Sequence, residues 1–153
     1  MHSTASSRSL INRGITSNAL FVASLASYVA ALSTPAYHTG RMNNWLEHYG
    51  LEALLIGPLG LLDGEFSWLA NILLWGAWLV RKKPKTLPVA LAILAMIVAG
   101  GFLLGHTVIV GSSGKIPFKV GLGYWLWLAS MVLAGASALT YVQPSAKVQS
   151  GAA

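Results

Sequence analysis

Residues 51–85 read LEALLIGPLGLLDGEFSWLANILLWGAWLVRKKPK. From Leu51 to Val80 this is one predominantly apolar stretch of thirty residues. As a single helix it would be about 45 Å long, too long to cross a hydrocarbon core of about 30 Å without strong tilt. A continuous helix would also carry Asp63 and Glu65 to mid-depth, where a carboxylate is costly. Gly57, Pro58, Gly60 and the Asp63-Gly64-Glu65 cluster supply the breaks. The stretch therefore divides into a short interfacial or re-entrant segment, 51–62, and a spanning helix, 66–80, with Asp63 and Glu65 at the water boundary. Arg81, Lys82, Lys83 and Lys85 then end the span abruptly.

Three further spans flank this one. Ile15 to Ser33 is free of charge for nineteen residues, about 28 Å of helix, with Arg8 and Arg13 before it and Pro35 after it. The same layout resembles a secretory signal, with Thr34 and Ala36 as the small residues around a cleavage point. Thr86 is placed to cap a third span, 87–104, and Pro88 suits its first turn, so the second and third spans form a hairpin. A glycine-rich, mildly basic connection holding Ser112, Ser113 and Gly114 leads to a fourth span, 122–142, which Gln143 and Pro144 terminate.

Composition agrees. Of the 153 residues, 55% are hydrophobic and 9% charged, where a soluble domain carries about 25% charged residues. So few charges cannot coat a soluble globule of this size, and so apolar a chain does not stay disordered. Cysteine is absent, which removes disulfides, thiolate nucleophiles and thiolate metal sites. The net charge of +6 sits at segment ends and not along an aromatic-studded face, so it speaks for topology and against a nucleic-acid partner. The expectation is an all-α, polytopic membrane protein: a single domain, 1–153, forming a four-helix bundle in a bacterial inner membrane. With the N-terminus inside, Arg8, Arg13, Arg81, Lys82, Lys83, Lys85 and Lys147 are cytoplasmic, against Arg41, Lys115 and Lys119 outside. Both termini are then cytoplasmic, and Glu47, Glu52, Asp63 and Glu65 face out.

Helices in lipid associate through small residues and polar contacts. Ala19, Ala23, Ser27 and Ala31 make one stripe at intervals of four, Gly101 and Gly105 a second, and Ala134 and Ala138 a third. They serve packing within one chain or between copies. Trp68, Asn71, Trp75 and Trp78 share one helical face, and Asn71 must find a partner there, in another helix or another molecule. Together with Asp63, Glu65 and His106 at the outer mouth, these are the candidate partner-binding residues. Aromatics including Tyr37, Trp45, Tyr49, Phe118, Tyr124, Trp125 and Trp127 crowd the same boundary as an interfacial belt.

His38, His48 and His106 fall on the outer side with the acids. His48 and Glu52 are four apart and share a face if helical, so with His106 or Asp63 they are candidate ligands for a divalent metal. His106 with His38 or His48 is a candidate haem pair. No zinc spacing is complete, and no GxSxG, HExxH, Walker A or dinucleotide fingerprint occurs; Gly121-Leu122-Gly123 alone is too little. The spans carry essentially no charge, which speaks against coupled transport or a pore. In layout the chain resembles the small immunity proteins that protect bacteria from pore-forming toxins, and equally the accessory subunits of membrane complexes. The resemblance implies a non-catalytic protein, without cofactor, that binds another membrane protein or a second copy of itself; it assigns no residues.

Overall fold

A computed structural model describes residues 3–41, 44–105, 107–109 and 115–141. The chain is mostly helical. In order it forms α1 (Ser3–Leu32), β1 (Pro35–Arg41), β2 (Asn44–Tyr49), α2 (Gly50–Gly60), a 3-10 turn (Leu61–Asp63), a second 3-10 turn (Phe66–Trp68), α3 (Leu69–Leu79), α4 (Thr86–Leu104), β3 (Thr107–Ile109), β4 (Lys115–Val120) and α5 (Leu122–Thr140).

Among the described residues three helices are long and apolar enough to cross a membrane: Asn12–Leu32 of α1, α4 and α5. They match the spans expected over 15–33, 87–104 and 122–142 to within a few residues; position 142 itself lies outside the described residues. The expected span 66–80 is a shorter apolar helix, Phe66–Leu79. Thr86 lies inside the first turn of α4 and makes no capping bond, so that cap does not form.

The all-α expectation fails at one end of the bundle. There the two polar connections form a four-stranded antiparallel sheet of order β2-β1-β4-β3. The β1–β4 pairing sets Tyr37 opposite Val120 and Thr39 opposite Phe118, tying the end of α1 to the start of α5. A period-two pattern in Lys115–Val120 was available to find β4: Ile116, Phe118 and Val120 are partly buried while Pro117 and Lys119 are exposed.

Apart from Tyr28, Leu74, Tyr124 and Met131, the buried side chains are mostly small, many of them hydroxyls, and the exterior is large and apolar. Ala70, Ala77, Ala92, Ala95, Ala99, Ala134 and Ala138 are buried beside Ser17, Ser24, Ser130 and Ser137, whereas Ile15, Val22, Val29, Ile97, Leu104 and Val132 are exposed. Such a distribution suits a lipid surround, where close backbone approach and hydrogen bonds hold helices together. Along the α1–α5 seam the Ser17 and Ser137 hydroxyls each donate to the other's carbonyl at 2.9 Å. Ser24 donates to the Ser130 carbonyl at 2.6 Å and Ser27 to that of Leu126 at 2.8 Å. Of the expected small-residue stripe, Ser27 bonds across this seam and Ala31 is buried, but Ala19 and Ala23 are exposed. At the far end from the sheet, the Arg81 guanidinium donates to Asn18 at 2.9 Å and lies 3.9 Å from the centre of the Phe21 ring. The α3–α4 turn is thereby held at the level of Asn18 and Phe21, the middle of α1.

Gly57 and Pro58, read above as breakers, do not break α2, which continues to Gly60. The break falls at Gly64, whose φ of 83° is left-handed. Its N–H donates to the Leu61 carbonyl and that of Glu65 to the Gly60 carbonyl at 2.8 Å, a Schellman closure that turns the chain into α3.

Two glycines test these close approaches. A Cβ on Gly123 would sit 2.8 Å from the Thr34 carbonyl oxygen and 3.0 Å from those of Ala31 and Pro35, whereas one on Gly101 would meet nothing within 4 Å. Gly123→Ala should therefore destabilise by about 1–3 kcal/mol. Gly101→Ala should be neutral or stabilising by up to about 1 kcal/mol. Thermal unfolding in mild detergent measures both, and equal effects would show that the α1–α5 contact is not tight.

Candidate functional site

Between the ends of α1, α4 and α5, the start of α3 and the inner side of α2 lies a cavity of about 520 Å³. That volume is within the range of small-molecule sites, about 300–1,000 Å³. Its floor is Asn71, which is buried at 6% exposure. The Asn71 Oδ1 accepts from the Tyr28 hydroxyl at 3.2 Å and from the Trp127 indole N–H at 2.9 Å. One hydrogen of its Nδ2 goes to the Trp68 carbonyl at 3.1 Å. Three helices thus converge on a single amide, and the partner that the sequence required for Asn71 comes from within the chain.

The wall formed by α2 follows from the Gly57-Pro58 pair. Pro58 has no N–H, so the Leu54 carbonyl four residues earlier loses its helical donor. The Trp68 indole N–H takes that place at 2.9 Å. Gly57 makes room, since a Cβ there would run into the Trp68 ring. The elements that looked like helix breakers form a docking slot for a tryptophan that lines the cavity.

The outer rim is built by the sheet. His48 on β2 shares one ring nitrogen with Thr39 Oγ1 at 2.8 Å and the other with Glu52 Oε1 at 2.9 Å. It stacks on Tyr37 with ring centres 4.7 Å apart. Burial, and secondly the charge of Glu52, push the Tyr37 phenol above its ordinary value, so it remains protonated at neutral pH. Phe102, at the end of α4, joins the sheet to the bundle through Phe118 at 4.5 Å and Tyr124 at 5.8 Å between ring centres.

The expected site residues divide accordingly. Asn71, Trp68 and Glu65 line the cavity. Trp75 packs edge-on against Trp68 with ring centres 6.5 Å apart. Trp78 turns toward α1, donating to Ser24 Oγ at 3.0 Å. Asp63 closes the first 3-10 turn, but its side chain is outside what the structure describes, as is the whole of His106. His48 and Glu52 meet as the metal reading required, although His48 sits at the end of a strand and not on a helix, and both its nitrogens are engaged. Among the described residues no third His, Asp or Glu joins them. Tyr28, Trp127 and Glu52 as cavity residues were missed, since each depends on a contact between distant elements.

Comparison with known proteins adds no relative. No protein-family model matches the chain, and no curated protein or solved structure gives a significant match.

Replacing the shared acceptor should be costly. Asn71→Leu leaves the Tyr28 hydroxyl and the Trp127 indole without their acceptor and should lower stability by about 1–3 kcal/mol. In a double-mutant cycle with Trp127→Phe, a coupling of about 0.5–2 kcal/mol is expected. Strict additivity would show that Asn71 and Trp127 do not act together.

Proposed function

We propose that the protein is a non-catalytic bacterial inner-membrane protein that crosses the bilayer four times and binds another membrane component in the cavity beneath the sheet. The observation that carries this reading is the cavity itself, lined by aromatic rings with a few fixed polar groups, the usual constitution of a ligand site. A supporting feature is the apolar surface of α2 and the turn after it, where Leu51, Leu55, Ile56, Leu59 and, in the turn, Leu62 are all exposed. At eleven residues, about 16 Å, α2 is too short to cross and acts as an interfacial wall between cavity and lipid.

The fourth crossing is α3 with its preceding turn. Trp68 and Asn71 line the cavity beneath the sheet, while Arg81 contacts Asn18 toward the other end of the bundle, which favours a fourth crossing. Arg13, Arg81, Lys82, Lys83 and Lys85 then gather on the cytoplasmic side with both termini, and Glu47, Glu52 and Glu65 lie outside. The serine contacts from α1 to α5 favour retention of the first span in the working protein over its removal as a signal. Within this frame the role is that of an immunity-type or accessory protein.

Because the chain has no cysteine, introduced ones report topology cleanly. In spheroplasts, a membrane-impermeant maleimide should label Glu47→Cys at once and Lys83→Cys only after lysis. Labelling of Lys83→Cys from outside would overturn the four-crossing arrangement. For binding, native mass spectrometry from mild detergent should reveal an adduct on the wild type that Ala53→Trp, which fills the cavity, displaces. Ala23→Trp, on the exposed side of α1, should keep it; no adduct, or an adduct indifferent to Ala53→Trp, counts against the cavity as the binding site.

A further inference from the structure

The cavity is unevenly charged. Among the described residues its lining includes two carboxylates, Glu52 and Glu65, and no lysine, arginine or histidine. The two acids differ in their surroundings. Glu52 is held by His48 at 2.9 Å, whereas Glu65 meets the Ser67 hydroxyl at 3.5 Å and, among the described residues, has no cation within ion-pair distance. Six aromatic side chains, Tyr28, Tyr37, Trp68, Phe102, Tyr124 and Trp127, line the same space. Ring faces attract cations through their quadrupole, most strongly where water is excluded, and such cages suit ammonium groups. An anion would meet the Glu65 carboxylate, which has no base beside it among the described residues. A wholly apolar guest would remove Glu65 from water without giving it a partner.

At the floor, Asn71 is buried and contributes to the lining, and its second amide hydrogen has no protein partner among the described residues. The space reaches the surface at α2, because the lining residues Ile56 and Leu59 are 54% and 62% exposed. Leu51 and Leu55 of the same helix are exposed as well, so an occupant that leaves by this side runs along an apolar helix.

The geometry points to an amphiphile of the outer leaflet with an ammonium head as the occupant, its cation beside Glu65 and the aromatic walls and its hydrocarbon tail leaving past Ile56 and Leu59. This assignment rests on the cavity being a binding site, as proposed above.

The test uses the full chain in neutral maltoside micelles, with tryptophan fluorescence as the readout. Dodecyltrimethylammonium should give a saturable change that dodecyl sulfate does not. Glu65→Gln should weaken it by about tenfold. Glu47→Gln, an exposed acid on β2 outside the cavity, should leave it unchanged, as should Glu65→Asp, which keeps the charge and controls for any loss of folding in the amide variant. Tetramethylammonium, which lacks the tail, should bind at least about a hundredfold more weakly. Equal binding of dodecyl sulfate, or indifference to Glu65→Gln, sinks the ammonium head and leaves the binding site standing. Equal affinity for tetramethylammonium sinks the tail. Undiminished binding in Ala53→Trp removes the cavity itself from consideration.

Discussion

The antiparallel contact between α1 and α5, closed by hydroxyl-to-carbonyl hydrogen bonds, is the constraint on which the rest of the molecule depends. Ser17 meets Ser137 and Ser24 meets Ser130, seven residues further along one helix and seven back along the other. In a surround as apolar as leucine, packing large side chains together gains little, while each such bond contributes about 0.6–2 kcal/mol. The pairs therefore fix register as well as proximity. Once 17 and 24 are placed, Tyr28 and Trp127 arrive at one level and converge on Asn71 from two sides.

The sheet fixes the same seam from its other end. Pairing of β1 with β4 begins a few residues after α1 stops and ends just before α5 starts, so the two helices cannot splay where the cavity needs them close. Gly123 permits the approach, with three carbonyl oxygens of the α1 end lying where its side chain would be. Phe102 brings α4 into the arrangement by contacting Tyr37, Phe118 and Tyr124. Rim, wall and floor are thus built by different parts of the chain that one junction holds in place.

Hydropathy made the three long helices legible, because a run of apolar residues of that length has few other fates in this composition. Asn71 and its tryptophan face were legible for a related reason: a buried amide must be satisfied, and helical spacing says which neighbours share its side. What no single stretch contains is which residue of another helix supplies the partner. Ala19 and Ala23 were chosen for size, yet the seam follows the serines, since small size permits contact and the hydroxyl supplies the bond. Apart from the alternation in β4, the sheet was hidden by short strands in polar connections, where neither hydrophobic runs nor helical periodicity offer a signal. At Gly57-Pro58 the local rule was right about the missing donor and wrong about its consequence, because Trp68 supplies the lost bond from a distance.

The cavity itself follows from a mismatch of lengths. Phe66 to Leu79 is an apolar helix of fourteen residues, about 21 Å, beside α4 and α5 of nineteen residues, about 28 Å. Arg81 and Asn18 tie the α3–α4 turn to α1 at the end away from the sheet, which leaves room for the shortfall of about 7 Å toward the sheet end. There the left-handed Gly64 turns the chain aside, and α2 closes the gap from the flank instead of filling it from above. The turn that shortens the helix also sets Glu65 at the lip and Trp68 in the wall. Had the apolar stretch continued as one helix, the same residues would have filled this volume with backbone and carried two carboxylates into the bilayer. Breaking it at Asp63-Gly64-Glu65 avoids that cost and leaves a recess whose charge and aromatic lining come from the residues that made the break.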